Sequence, residues 1–110
     1  MMLNRCFITQ APTIKHDLDV LARWGSVVPL MRRGYFPDDV EIHTRSLWAT
    51  CDKVMADFNP ELDFVVPMGD SCTLSVVTLW LERKGLLPAF YLKYDKRHRG
   101  YYQIKIGEQI

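Results

Sequence analysis

The stretch DFVVPMGDSCTLSVVTLW, residues Asp63–Trp80, decides the fold of this chain. An apolar run ends at the turn Gly69–Ser71, and a second apolar run begins immediately after it. The first run has the length of a strand that is buried on both faces, and the second has the length of a helix. The stretch therefore predicts a strand over Phe64–Met68 and a helix over Ser71–Lys84, apolar nearly all round and buried on more than one side.

The rest of the chain alternates between strands and helices in the same way. Apolar runs bounded by turn residues predict further strands over Arg5–Gln10, Ser26–Leu30, Ala89–Tyr94 and Tyr101–Ile106. A short helix is expected after a cap at Asp17, and a longer one carries its apolar face over Leu47–Phe58. Thr44 is one candidate cap for the longer helix, and Asp38 or Asp39 could start it earlier.

This alternation indicates a single α/β domain over residues 1–110. We expect a small three-layer, Rossmann-like fold with a mainly parallel sheet between helices, in the flavodoxin-like order 2-1-3-4-5. Pro29 suggests that the second strand lies at an edge of the sheet. Only a short polar turn separates the last two strands, so they form an antiparallel hairpin.

Composition excludes several classes of function. The net charge of +1 gives no global attraction to nucleic acid or a membrane. The longest apolar run, around Leu74–Leu81, is too short to span a bilayer, and residues 1–5 lack the apolar region of a signal peptide. The three cysteines, Cys6, Cys51 and Cys72, lack metal-ligand spacing, and each is expected inside a packed element. We therefore predict a cytoplasmic protein with no metal site, no cofactor and no catalytic residue.

A ligand site in such a fold would lie where the carboxyl ends of strands one and three meet. The helix that follows Gly69 exposes N–H groups that attract anions, and hydroxyls and arginines nearby could complete a phosphate pocket. The candidate ligand-binding residues are Thr9, Gln10, Thr13, Gly69, Asp70, Ser71, Thr73, Arg32 and Arg33. In the alternative interpretation, Asp70 simply caps the helix and its carboxylate occupies the anion position.

The run FVVPMGDSCTLSVVTLWLERKG resembles the third-strand region of PIN- and NYN-type nuclease domains. Those enzymes gather several carboxylates around a divalent metal to hydrolyse RNA. Cys72 stands where the second acid of the turn is expected, and the first strand, CFITQ, lacks an aspartate. The resemblance therefore implies a relative whose acidic site is degenerate.

A second resemblance spans most of the chain. The segments LARWGSVVPL, FNPELDFVVPMGD and YLKYDKRHRGYYQIKI, in this order, are similar to small α/β proteins encoded by bacteriophages. This resemblance implies an accessory protein in the host cytoplasm that acts by binding a host or phage component.

Two surface segments are candidate contact sites. The loop Met31–Pro37 carries Arg and aromatic residues, which are typical anchors at protein interfaces, and its candidate partner-binding residues are Arg32, Arg33, Tyr35 and Phe36. The tip of the C-terminal hairpin carries the candidate nucleic-acid-binding residues Lys96, Arg97, His98 and Arg99, flanked by tyrosines. Charged tips also protect edge strands from aggregation, so the tip has a purely structural interpretation too.

The sequence thus favours a non-catalytic accessory protein that binds another protein, with a second copy of this chain as one option. The first alternative is a small-molecule or nucleotide-binding domain that uses the Gly69–Ser71 turn. The second is a nucleic-acid binder, or a degenerate nuclease-like domain, that uses the basic hairpin tip.

Overall fold

The computed structural model describes residues 4–11, 16–31 and 40–107 of the chain. Within these ranges, strands and helices alternate along the sequence until the last two strands, which follow one another directly. The elements are β1 (Arg5–Ile8), α1 (His16–Leu21), β2 (Ser26–Pro29), α2 (Val40–Val54), β3 (Phe64–Val66), α3 (Ser71–Arg83), β4 (Ala89–Asp95) and β5 (Gly100–Ile106). None of these helices is long and apolar enough to cross a membrane.

The strands form one sheet in the order β2-β1-β3-β4-β5, as predicted. β1 pairs in parallel with β2 and with β3, and β3 pairs in parallel with β4. β5 runs antiparallel to β4 over seven residue pairs, from Ala89↔Ile106 to Asp95↔Gly100. β2 lies at one edge and ends at Pro29, which agrees with the edge position expected for a residue without an N–H donor.

Side chains alternate between the two faces of the sheet, so each face has its own apolar core. One core lies between the sheet and helices α2 and α3, and its members include Phe7, Val65, Tyr91, Met55 and Trp80. The other lies between the sheet and α1, and its members include Ile8, Phe64, Val66, Leu92 and Leu21. Helices thus cover both faces, and the predicted three-layer α/β class is confirmed.

The predicted start of α1 is wrong, and so is one of the two candidate starts of α2. α1 begins at His16, so Asp17 lies inside the helix instead of preceding it. Acidic residues are favoured throughout the first turn as well as at the cap, so residue type alone does not fix the boundary. α2 begins at Val40, so Thr44 is inside it too, and the alternative start near Asp38 or Asp39 fits better. Those two aspartates lie outside the described residues.

α2 also ends earlier than its apolar stripe suggests. The helix stops at Val54, and the N–H of Phe58 bonds to the carbonyl of Met55 in a tight turn. Phe58 is nevertheless buried, and its ring packs against that of Phe7 at a centroid distance of 5.6 Å. Apolar spacing therefore identified the buried face correctly although the last turn is not helical.

The expectation that α3 is buried nearly all round is wrong at Leu79, which is 57% exposed. The buried residues of α3 are Thr73, Val77, Trp80 and Leu81, which lie on the side that faces the sheet and α2. The outer side has no neighbouring element within the described part of the chain. Apolar side chains on that side, such as Leu79, therefore remain exposed.

The cysteines differ from one another in exposure. Cys6 and Cys51 are buried as predicted, but Cys72 is exposed, which corrects the expectation that all three lie in packed elements. Cys72 is the second residue of α3 and lies on its outer side, where nothing in the described ranges covers it.

This difference predicts one fast-reacting thiol in the native protein. Burial raises the pKa of the Cys6 thiol to about 11 and that of the Cys51 thiol to about 12. Both thiols therefore stay protonated at pH 8. They react slowly, because the thiolate is the reactive form. Titration with a chromogenic disulfide reagent should release one equivalent quickly, and three after unfolding in urea. The Cys72→Ser variant should lack the fast phase. A fast phase of two or more equivalents in the native chain would contradict the burial of Cys6 and Cys51.

Candidate functional site

The rim between β1 and β3 brings together several of the predicted ligand-binding residues. Thr9 is fully buried directly after β1, and its N–H bonds to the carbonyl of Val66 at 3.1 Å. The Thr9 hydroxyl donates to the carbonyl of Met68 at 2.7 Å and accepts the N–H of Met68 at 2.8 Å. Thr9 therefore extends the pairing of the two strands beyond their last backbone bonds.

Gln10, which follows β1, and Gly69, which follows β3, lie against each other at the rim. Gly69 has a φ of +78°, and a Cβ at this position would collide with the Gln10 side chain. The Gln10 Oε1 accepts the N–H of Asp70 at 3.2 Å. Glycine is needed here both for its backbone conformation and for the close approach of Gln10.

Asp70 is the N-cap of α3, as the capping interpretation predicted. Its Oδ2 accepts the backbone N–H of Thr73 at 3.1 Å and the Thr73 hydroxyl at 3.0 Å. Thr73 is buried, and its hydroxyl also lies 3.2 Å from the sulfur of Met31. A carboxylate thus stands at the start of α3, where an anion would bind, while Ser71 beside it is exposed.

The rim is therefore a strand-to-helix joint whose polar groups are engaged with one another. It unites six of the predicted ligand-binding residues, namely Thr9, Gln10, Gly69, Asp70, Ser71 and Thr73. Thr13, Arg32 and Arg33, which would complete a phosphate pocket, lie outside the described residues, as do the loop aromatics Tyr35 and Phe36. Ligand binding at the rim and partner binding by the loop stay predictions.

The predicted hairpin tip carries its charges in solvent. Lys96, Arg97, His98 and Arg99 are all exposed, and they connect Asp95 to Gly100. The Asp95 Oδ2 lies 2.6 Å from the His98 Nδ1, and Asp95 Oδ1 accepts the N–H of Arg97 at 3.0 Å. The hydrogen bond with His98, followed by that with Arg97, lowers the pKa of Asp95 below its usual value. Asp95 therefore stabilises the turn through hydrogen bonds with two residues of the tip.

Tyrosines flank the tip on both faces of the hairpin. Tyr94 and Tyr101 are directly opposite each other, with ring centroids 5.2 Å apart in an edge-on arrangement. Tyr102 lies opposite Lys93 and is 43% exposed, compared with 39% for Tyr94. An open depression of about 480 Å³ lies beside the tip, lined by Asp95, His98, Gly100, Tyr101 and Tyr102.

Charge is distributed unevenly over the chain. The hairpin, residues 89–107, contains five basic residues and one acidic residue, so its formal charge is +4. Because the whole chain carries +1, the remaining residues together carry −3. The near-neutral total thus conceals a basic hairpin on an acidic body, which the sequence totals alone did not indicate.

A network of charged groups lies at the starts of β1 and β3, at the end of the strands opposite the rim. The sequence did not predict this network. Asp63 is 2% exposed and accepts from the Arg5 Nη2 at 2.8 Å, the Arg5 backbone N–H at 3.1 Å and the Asn59 N–H at 2.8 Å. Arg5 also reaches the exposed Asp57 through Nη1 at 2.9 Å. These residues join the starts of β1 and β3, and their role is structural. The available signal was an acid placed directly before the buried strand Phe64–Val66.

These features define a small three-layer α/β domain with a hydrogen-bonded rim between β1 and β3 and a basic hairpin at one edge of its sheet. A family model described as phage Pam3 gp32-like protein matches residues 4–108. The chain belongs to this family, and the predicted likeness to phage-encoded proteins is confirmed at that level. No curated protein and no solved structure matches the chain.

The resemblance to PIN- and NYN-type nuclease domains is not supported by these comparisons. The contacts of the turn also argue against a nuclease site, because the Asp70 carboxylate caps α3 through Thr73. Across the described ranges, no three His, Cys, Asp or Glu side chains are grouped so that they could hold a metal ion. Cys72, at the position of the second acid, lies exposed on the outer side of the helix.

Proposed function

We propose that this chain is a non-catalytic phage accessory protein that acts in the host cytoplasm by binding another protein. Membership of a phage protein family supports the accessory role. The observation that carries the binding role is the outer edge of β5. β5 is the last strand in the sheet order, and no further strand of the described sheet pairs with this edge.

The β5 edge has the properties of a strand that can accept another strand. It pairs with β4 in continuous register over seven residues, without a bulge or a proline. Exposed edge strands of this kind are templates for pairing with a segment of another chain, and proteins usually protect them with prolines, bulges or very short strands. Lys105 is the one charged residue within Gly100–Ile106.

The other edge of the sheet provides an internal comparison. β2 is four residues long and ends at Pro29, so it shows two of the usual protections. The same chain therefore carries one edge protected by its short length and a proline, and one long edge whose protection is positive charge alone. This contrast favours β5 as the binding edge.

The rim between β1 and β3 supports a second candidate function less well. A nucleotide or other phosphate ligand there would meet the Asp70 carboxylate, which accepts two hydrogen bonds from Thr73. Like charges repel at such short range. We therefore place the rim behind the β5 edge as a binding surface.

Two proline substitutions test the proposal. Along an antiparallel strand, successive N–H groups point alternately to the two sides, so one of Gln103→Pro and Ile104→Pro removes a donor from the outer edge. The other breaks a bond to β4, and loss of stability identifies it. We expect the stable proline variant to lose the proteins that the wild-type chain co-purifies from phage-infected cells.

The alanine variant at the same position, Gln103→Ala or Ile104→Ala, is the matched control, because it shortens the same side chain and leaves the backbone donor in place. It should retain the captured proteins. Equal capture by the wild type and the stable proline variant would overturn binding through the β5 edge.

A further inference from the structure

We infer that the partner at the β5 edge is an extended acidic segment of another protein, with apolar and acidic residues in alternation. This inference rests on the proposed function and specifies the chemistry of its partner. It follows from the charge of the hairpin and from the different character of its two faces.

The hairpin presents several cations that pair with no acid in the described part of the chain. Lys93, Lys96, Arg97 and Arg99 are exposed and form no ion pair with any other described residue. The one acid of the hairpin, Asp95, is engaged by His98. A strand added along β5 would lie next to these positive charges. Acidic residues in the added strand would therefore be favoured.

The same charge argues against a second copy of this chain in the same position. Pairing β5 with β5 of another molecule would place two hairpins of formal charge +4 side by side. Neighbouring strands lie about 4.8 Å apart. In a parallel pair, in which the two basic tips meet at the same end, this spacing is shorter than the screening length of about 10 Å at 0.1 M salt, so their repulsion would persist.

The two faces of β5 differ in polarity. Tyr102, Ile104 and Ile106 lie on the face toward α2 and α3, since they stand opposite Lys93, Tyr91 and Ala89. Tyr101, Gln103 and Lys105 lie on the other face. Cross-strand neighbours on one face contact each other, so an added strand should place apolar residues beside the first set and acidic ones beside Lys105.

This arrangement favours a peptide over single-stranded nucleic acid. Bases stack on aromatic rings that share one platform. The two most exposed tyrosines of the hairpin, Tyr94 and Tyr102, lie on opposite faces, and Tyr94 is already in contact with Tyr101. An extended peptide instead uses the backbone edge and both faces together, as strand addition requires.

Fluorescence anisotropy with labelled peptides tests the inference. The probe is a nine-residue peptide of alternating valine and glutamate. Its controls are a peptide of the same composition with the two residues in separate blocks, and one with lysine in place of glutamate. We expect the alternating acidic peptide to bind at least about tenfold more tightly than either control, and more weakly as salt increases.

A matched pair of charge-reversal variants locates the site. Lys96→Glu with Arg97→Glu should weaken binding of the alternating peptide by at least about tenfold. Arg23→Glu with Lys53→Glu makes the same change in net charge at exposed positions outside the hairpin and should leave binding nearly unchanged. Equal losses for the two double variants would show nonspecific attraction and overturn the site.

Other outcomes separate this inference from the proposed function. If the stable proline variant loses its captured partners but the alternating acidic peptide binds no better than its controls, the edge binds protein and the inference about acidity is wrong. Binding of a labelled oligothymidylate that exceeds binding of the peptide would overturn the inference in favour of nucleic acid. A concentration-dependent dimer by light scattering that the stable proline variant abolishes would overturn it in favour of a second copy.

Discussion

Replacing Trp80 by alanine is expected to lower the free energy of unfolding by about 3–5 kcal/mol. Trp80 is 2% exposed and belongs to the core between the sheet and helices α2 and α3. Its indole Nε1 donates to Asp52 at 2.8 Å, which ties α3 to α2, and the Lys84 ammonium lies 5.7 Å from the ring centroid. Truncation would leave a large cavity and remove both contacts. Urea denaturation followed by far-UV circular dichroism measures the loss.

The neighbouring residue is the matched control. Leu79→Ala changes the preceding position of the same helix, but Leu79 is 57% exposed, so its truncation removes little buried area. We expect a change within about 0.5 kcal/mol. A comparable loss for both variants would show that the outer side of α3 is covered in the folded protein. A small loss for Trp80→Ala alone would contradict its place in the core.

The directions of the strands were predictable from local patterns and rules of connection, and their order was predicted from the flavodoxin-like pattern. Alternating strands and helices imply parallel pairing, and the short turn between β4 and β5 leaves only an antiparallel hairpin. The Asp70 cap was also predictable, since a capping side chain bonds within its own turn. Such contacts join residues that are close in sequence, so the sequence displays them directly.

Exposure on α3 was not predictable in the same way. The helix carries apolar residues on its outer side as well as on the side that faces the sheet and α2, so hydropathy alone assigns Leu79 and Cys72 to the core. Which apolar residue remains exposed depends on how the helix is rotated against its neighbours. That rotation is set by packing among distant residues, such as Trp80 against the α2 face.

The candidate binding surface was predicted only in part. The spacing of β4 and β5 indicated a hairpin and its basic tip, including Lys96 and Arg97. The assignment of side chains to faces required the register, in which Tyr101 lies opposite Tyr94 and Tyr102 opposite Lys93. A shift of one residue would exchange the two faces, and turn length alone does not determine it.

The Arg5–Asp63 contact shows the same limit most strongly, because the two residues are 58 positions apart. Arg5 is the first residue of β1, and Asp63 directly precedes β3. The parallel pairing of these strands, with Cys6 opposite Phe64, brings the two side chains together. Only the fold creates this ion pair, and the hydrogen bond with Asp63 raises the pKa of Arg5 above its usual value.

Replacing Asp63 by alanine should therefore cost about 3–5 kcal/mol of stability, although no ligand or catalytic role is involved. The Asp63 carboxylate accepts from Arg5 through its backbone N–H, Nε and Nη2, and from the backbone N–H of Asn59. Its removal leaves the Arg5 Nε and the backbone N–H groups of Arg5 and Asn59 without this acceptor, and unsatisfied buried donors cost more than the lost bonds contribute. Urea denaturation monitored by tryptophan fluorescence measures the change.

Asp57→Ala provides the control that separates burial from charge. It removes one negative charge and one ion pair with the same arginine, but the Asp57 side chain is 78% exposed. Exposed ion pairs contribute little, so we expect a much smaller loss of stability than for Asp63→Ala. If the two variants lost the same stability, net charge near Arg5 would be the cause, and the buried hydrogen bonds of Asp63 would not. A large loss confined to Asp63→Ala would show that the buried hydrogen bonds of Asp63 hold the start of β3 beside the start of β1.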